Sequence, residues 1–152
     1  MVLPTPNPDQ LSLFAQKKID AVWTVEPWVS RLERDAGGKV FLEEKDSVTT
    51  VLVSSVKFQK EQRELLRKLV LAHRELTEWI KAHPAEAQAM VVEELFAEMR
   101  SRISPELIAA AWQRIDLTND VSRESLDTFV VNAQKAGFLK KVPDLRTLIQ
   151  IP

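Results

Sequence analysis

The segment Ile19–Trp28 constrains the fold of this chain more than any other part of the sequence. An apolar run, Ile19–Val25, leads directly into Glu26-Pro27, and proline is favoured in the first turn of a helix. The pattern predicts a short buried strand that turns sharply into a helix over Glu26–Asp35, which Gly37-Gly38 ends. In α/β proteins, a strand end that opens into a helix N-terminus is a common place for a ligand.

Strands are predicted only in the first third of the chain. Lys39–Leu42 is expected to form a short strand, and Thr49–Ser55 has the β-branched, apolar centre of a buried one. From residue 58 onward, apolar residues recur at helical spacing. Candidate helix caps are Asn7 before Pro8, Ser104 before Pro105, and either Asp120 or Ser122.

Composition excludes several classes of protein. The 152 residues carry a net charge of −1, which gives no electrostatic footprint for nucleic acid. The chain has no cysteine, so disulfides, thiolate metal sites and cysteine nucleophiles are excluded. Its 3 glycines form no phosphate-binding loop, and no His, Asp or Glu set has metal-ligand spacing. We therefore expect no cofactor and no metal. Residues 1–6 lack the basic and apolar regions of a signal peptide.

The order of several short motifs resembles the C-terminal half of the periplasmic solute-binding proteins for nitrate, sulfonates and taurine. The motifs are Asp20–Trp28, Gly37–Phe41, Thr49–Ser55, Trp79–Ala87, Gly137-Phe138-Leu139 and Pro143-Asp144-Leu145. The resemblance implies an α/β fold, namely the C-terminal portion of a type II periplasmic binding protein, with few short strands followed by a helix-rich segment. It also implies a non-enzymatic component of an ABC importer, located in the periplasm or at the outer face of a membrane. Its partners would be a small-molecule ligand and the membrane permease.

The same resemblance implies a division of the chain. Residues 1–44 correspond to the end of the middle ligand-binding lobe, residues 45–50 to the hinge, and residues 51–152 to the strand and closing helices of the other lobe. The N-terminal half of the family has no counterpart here, so we expect a fragment or a shortened relative, with homodimer formation as one consequence. Lys17-Lys18 stand where the family often has glycine; a positive φ at Lys18 would cost ~1 kcal/mol.

Five residues are candidates for ligand binding, and each has a structural alternative. Glu26 would accept a hydrogen bond from an amine, or it would offset the dipole at the helix start. Trp23 and Trp28 would line a cleft, although one of the two is expected in the core. Thr24 would donate to an anion at the helix N-terminus, and Thr50 lies at the hinge. Thr50, like Thr49, also suits an ordinary strand position. Alternating strand geometry places Trp23 on one face and Thr24 on the other.

Two other functions remain open. The chain would be an oligomerising structural or interaction module without ligand binding, since apolar helix faces that lack cover favour association. Alternatively, it would be an enzyme similar to a thiamine-pyrimidine synthase, whose fold is related. Such an enzyme needs a reactive histidine in a cleft. His73 is instead expected to pack on the apolar face of its helix, and His83 lies at a helix break before Pro84.

Overall fold

The computed structural model of the chain describes residues 2–45, 47–99, 103–142, 144–145 and 148–149. Within these residues lie seven α-helices, and 58% of the structure is helical. The helices are α1 (Asn7–Ala15), α2 (Trp28–Ala36), α3 (Val56–Glu61), α4 (Arg63–Ala82), α5 (Pro84–Met99), α6 (Pro105–Trp112) and α7 (Arg123–Lys135).

The predicted α/β fold is wrong, because the described part of the chain contains no β-strand. The three segments expected to form strands, Ile19–Val25, Lys39–Leu42 and Thr49–Ser55, are irregular. A strand is defined by hydrogen bonds to a neighbouring strand, and β-propensity alone does not supply that neighbour. The residues of these segments have strand character, but none of the three pairs with another.

The helices after residue 58 follow the sequence pattern closely. Ser104 Oγ accepts a hydrogen bond from Leu107 N at 3.2 Å, which confirms the predicted cap of α6. Ser122, not Asp120, caps α7, because its Oγ accepts from Ser125 N at 3.1 Å. Gly37 ends α2 in the left-handed conformation at φ 65°, as the glycine pair predicts.

Two predicted helix starts are displaced along the chain. Helix α1 begins at Asn7 with Pro6 as its N-cap, so Asn7 does not act as the cap. Helix α2 begins at Trp28, two residues after the predicted start, because Pro27 occupies the N-cap position. Neither Asn7 nor Glu26 is an N-cap residue, and the side chains of both make other contacts, which are described below.

The described chain forms two compact units. The first comprises Met1–Glu44 and Ala82–Asp116, where α1 packs on α2, and α6 packs on both α2 and α5. Its buried core is formed by Ile103, Leu107 and Ile108, with Val91, Val92, Leu95 and Trp112 packed against them.

The second unit comprises Lys45–Lys81 and Leu117–Pro152. Leu66 and Thr77 of α4 are buried in it. The Nδ2 of Asn119 donates to Glu78 Oε1 at 2.8 Å, which ties the segment before α7 to α4. The predicted division into lobe, hinge and lobe stays a prediction; Asp46 of the hinge and Pro143 of the last motif lie outside the described residues. None of the helices within the described ranges is long and apolar enough to cross a membrane.

Candidate functional site

The segment before α2 carries four of the five predicted ligand-binding residues, and its exposure alternates along the chain. Trp23 is 71% exposed and Val25 is 42% exposed, whereas Val22, Thr24 and Glu26 are half-buried. The alternation predicted from strand geometry is therefore present in the exposure of the side chains, although the segment pairs with no strand. It presents the indole of Trp23 outward and turns Thr24 and Glu26 inward.

Glu26 is held by two partners in the first unit. Its Oε2 accepts from the backbone N–H of Ser30 at 3.1 Å, in the first turn of α2. Its Oε1 accepts from Arg114 Nη1 at 2.9 Å, and the same Nη1 donates to Glu33 Oε2 at 2.8 Å. The side chain of Glu26 is only 6% exposed, against 34% for Glu33. Both oxygens of this buried carboxylate therefore accept hydrogen bonds, which compensates the cost of burying the charge of Glu26.

We call the group of Glu26, Glu33 and Arg114 the carboxylate–arginine cluster. Its two ion pairs share the guanidinium of Arg114. The hydrogen bond to Glu33, followed by that to Glu26, raises the pKa of Arg114 above its ordinary value. The guanidinium therefore stays charged, and the cluster carries two negative charges against one positive charge. Its formal charge of about −1 favours cationic or zwitterionic groups nearby over simple anions.

A second polar cluster joins α1 to the same segment. Asn7 Oδ1 accepts from Gln10 Nε2 at 3.0 Å and from Thr24 Oγ1 at 3.4 Å. Gln10 is 6% exposed, yet its Oε1 has no hydrogen-bond partner among the described residues. Ser30 in α2 is equally buried, and its hydroxyl likewise has no partner there.

Trp28 is half-buried at the first position of α2. The guanidinium carbon of Arg31 lies 5.8 Å from the centre of its ring, within the range of a cation–π contact. Trp28 thus has a cationic neighbour on its own helix. The peptide bond just before this helix, between Glu26 and Pro27, is cis.

Thr50 belongs to the second unit and is exposed. The structure therefore places Trp23, Thr24, Glu26 and Trp28 on one continuous stretch of the first unit. The ligand-binding roles of all five residues stay predictions.

Sequence reasoning missed Arg114 and Gln10 as members of the site. Arg114 lies 88 positions from Glu26 along the chain, so no local spacing connects the two. For Gln10, the available signal was its position three residues after Asn7, at which helical side chains meet. His73 is exposed on α4, so the prediction that it packs against an apolar face is wrong. Within the described residues, no group of three or more His, Asp or Glu side chains is placed to hold a metal ion.

Comparison with known proteins identifies the family. No curated protein and no solved structure matches the chain. Residues 1–95, however, match the sequence profile of the NMT1-like family, and this range contains all five predicted ligand-binding residues. Because the match covers more than half of the chain, the protein belongs to the NMT1-like family, which is of the nitrate, sulfonate and taurine ABC substrate-binding type.

Proposed function

We propose that this chain is the substrate-binding component, or a part of that component, of an ABC importer for a small sulfonate, nitrate-like or taurine-like solute. The observation that carries the proposal is the family match over residues 1–95. The family implies a small-molecule ligand and a membrane permease as partners. Its members are mostly binding proteins without enzymatic activity, and they typically act in the periplasm or outside the cell.

The ligand contacts proposed in the first unit are Trp23, Thr24, Glu26 and Trp28, and Thr50 is proposed as a ligand contact of the second unit. Two features of the first unit support this choice. The exposed indole of Trp23 offers an aromatic face, which is typical of small-ligand sites. The hydroxyl of Thr24 lies in a polar cluster with Asn7 and Gln10, where a few directional groups would orient a ligand.

Charge favours a zwitterion over a bare anion as the ligand. The carboxylate–arginine cluster has an excess of one negative charge, which repels nitrate or a simple sulfonate and attracts an ammonium group. The side-chain carbonyl of Gln10 is an acceptor and suits the N–H of an amine. Among the solutes implied by the family, a taurine-like molecule carries both an amine and a sulfonate, and we propose this class.

Titration calorimetry with taurine, ethanesulfonate and nitrate tests the proposal. We expect taurine to bind more tightly than the two anions. Thr24→Ala is expected to weaken taurine binding about fivefold, since it removes one hydrogen bond. Thr128→Ala, at an exposed position of α7, is the matched control and leaves the affinity unchanged. Absence of binding for all three solutes would contradict the proposed function.

Trp23 gives a second, independent arm of this test. Trp23→Ala removes an exposed aromatic side chain, so we expect a loss of taurine affinity without a loss of stability. Phe138→Ala is the control, because Phe138 is 84% exposed in the second unit and lies outside the proposed contacts. Equal effects of the two substitutions would remove Trp23 from the site.

A further inference from the structure

The segment Val48–Val56, which we call the edge segment, is irregular as far as Ser55 and exposes most of its apolar side chains; Val56 is the first residue of α3. Val51, Leu52 and Val53 are 42%, 51% and 79% exposed. No backbone group of residues 48–54 forms a hydrogen bond with another backbone group in the described part of the chain. A β-prone segment with free backbone groups is a template for pairing with another strand.

The edge segment is self-complementary in sequence. Read from either end, it runs Val, hydroxyl, hydroxyl, Val, Leu, Val, hydroxyl, hydroxyl, Val, with Leu52 at its centre. If two copies pair in antiparallel fashion around Leu52, Val51 of each copy faces Val53 of the other. Threonine then faces serine, and Val48 of each copy lies beside the start of the other copy's α3 at Val56. Cross-strand pairs of this kind stabilise a sheet, and a two-fold axis requires such self-complementarity.

Charge at the two ends of the edge segment selects the antiparallel arrangement. The residues before it, Glu43-Glu44-Lys45-Asp46, carry a net charge of about −2 at neutral pH. The residues after it include Lys57 and Lys60 and no acid before Glu61. Antiparallel pairing brings the acidic end of one copy beside the basic end of the other, whereas parallel pairing would bring like charges together. The edge segment itself is uncharged.

An apolar groove lies along the edge segment within the second unit. It has a volume of about 290 Å³ and is lined by Leu52 and Val53 on one side and by Phe58, Leu66 and Leu69 on the other. Leu69 is 48% exposed there. The groove therefore joins exposed apolar side chains of the edge segment to apolar side chains of α3 and α4.

We propose that the edge segment is a self-association site, at which two copies of this chain pair residues 49–55 as antiparallel β-strands around a two-fold axis at Leu52. The partner is a second copy, because the sequence and the end charges of the edge segment complement themselves. Of the proposed ligand contacts, Thr50 lies in the edge segment, whereas Trp23, Thr24, Glu26 and Trp28 belong to the first unit and are left untouched by the pairing.

Sedimentation velocity of the purified chain over a range of micromolar concentrations is the first test. We expect a concentration-dependent dimer of twice the 17.3 kDa of one chain. Amide hydrogen exchange at residues 49–55 should slow as the dimer forms. A chain that stays monomeric throughout, or a dimer in which these amides exchange as in the monomer, would overturn the proposal.

Charge substitutions at Leu52 test the axis itself. Leu52→Lys and Leu52→Glu each place like charges opposite one another, and we expect each to weaken the dimer about tenfold or more. An equimolar mixture of the two variants should associate again, because Lys then faces Glu. Leu71→Lys, at a 57% exposed position of α4, is the matched control and should leave the dimer intact. Failure of the mixture to associate contradicts pairing at Leu52.

Cysteine substitution separates antiparallel from parallel pairing, and the chain has no cysteine of its own. In the antiparallel arrangement, Val51→Cys of one copy faces Val53→Cys of the other at a distance that a disulfide can bridge. Mixed under mild oxidation, these two variants should crosslink to each other faster than either does to itself. The opposite preference would indicate parallel pairing and overturn the proposed geometry.

Discussion

Glu26 and Glu33 bind the same guanidinium nitrogen, but they differ in exposure and in their other contacts. Glu26 is 6% exposed and also accepts from the backbone N–H of Ser30, whereas Glu33 is 34% exposed. Glu26→Ala should therefore lower the free energy of unfolding by about 1–3 kcal/mol, because it leaves the Ser30 N–H without its acceptor and Arg114 without one of its two partners. Glu33→Ala should cost less than about 1 kcal/mol, as expected for a solvent-screened ion pair. Urea unfolding of the two variants compares these costs, and equal values would show that burial of Glu26 contributes nothing.

Lys17 and Gly137 occupy the same position in two helix ends of the same type. Lys18 N donates to Leu13 O at 2.9 Å after α1, and Phe138 N donates to Ala133 O at 2.9 Å after α7. This arrangement requires a left-handed residue, and φ is 57° at Lys17 and 80° at Gly137. The positive φ expected at Lys18 thus lies one residue earlier, because α1 ends at Ala15.

The difference between these two helix ends predicts opposite mutational effects. Lys17→Gly should raise the free energy of unfolding by up to about 1 kcal/mol, because it relieves the steric cost of the left-handed backbone. Gly137→Ala should lower it by about 1 kcal/mol for the same reason. Thermal unfolding of both variants provides the measurement. A destabilising Lys17→Gly would mean that the lysine side chain contributes more than its backbone conformation costs.

The start of α6 has a pH-dependent contribution to stability. Hydrogen bonds from its own backbone N–H and from the Ser104 side chain, with the nearby charge of Arg34, lower the pKa of Glu106 below its ordinary value of 4.5. A lowered pKa in the folded state stabilises the fold above the ordinary pKa, and this stabilisation is lost as the pH falls through the lowered value.

Glu106→Gln isolates that contribution. We expect the variant to melt at a lower temperature than the wild type at pH 7, and the two melting temperatures to converge as the pH falls through the lowered pKa of the Glu106 carboxyl. Glu93→Gln, in the interior of α5, is the control for the loss of one exposed acid. A difference between wild type and Glu106→Gln that persists unchanged at low pH would argue against a charged cap at α6.

At the level of elements, the sequence predicts helices well and strands poorly, for a physical reason. Ser104, Ser122 and Gly37 act through contacts within a few residues, so their positions can be read locally. Thr49–Ser55 has the composition of a strand but forms none, because the hydrogen bonds of a strand come from another segment. The short helix α3 was not predicted, because its only clear signal in the sequence is the N-cap Ser55. The Oγ of Ser55 accepts from Phe58 N at 3.1 Å.

At the level of the whole molecule, the family could be inferred from the sequence, whereas the full set of residues that form the candidate site could not. The motif around Glu26 lies in one stretch of chain, and its place at a helix start follows from Pro27. Arg114, which binds Glu26, follows α6 and is brought to it by the packing of α6 on α2. Long-range packing of this kind leaves no local spacing in the sequence.

The largest buried cluster of the first unit predicts where this chain is most resistant to opening. Ile108 is 2% exposed and packs with Leu107 and Ile103. Ile108→Ala should cost about 2–4 kcal/mol, because it removes buried methylene groups and leaves a cavity. Hydrogen exchange gives the sharpest measurement: amides of α5 and α6 should exchange faster in the variant, while those of α4, in the second unit, keep their wild-type rates. If α4 accelerates equally, the two units open together and the core around Ile108 supports both.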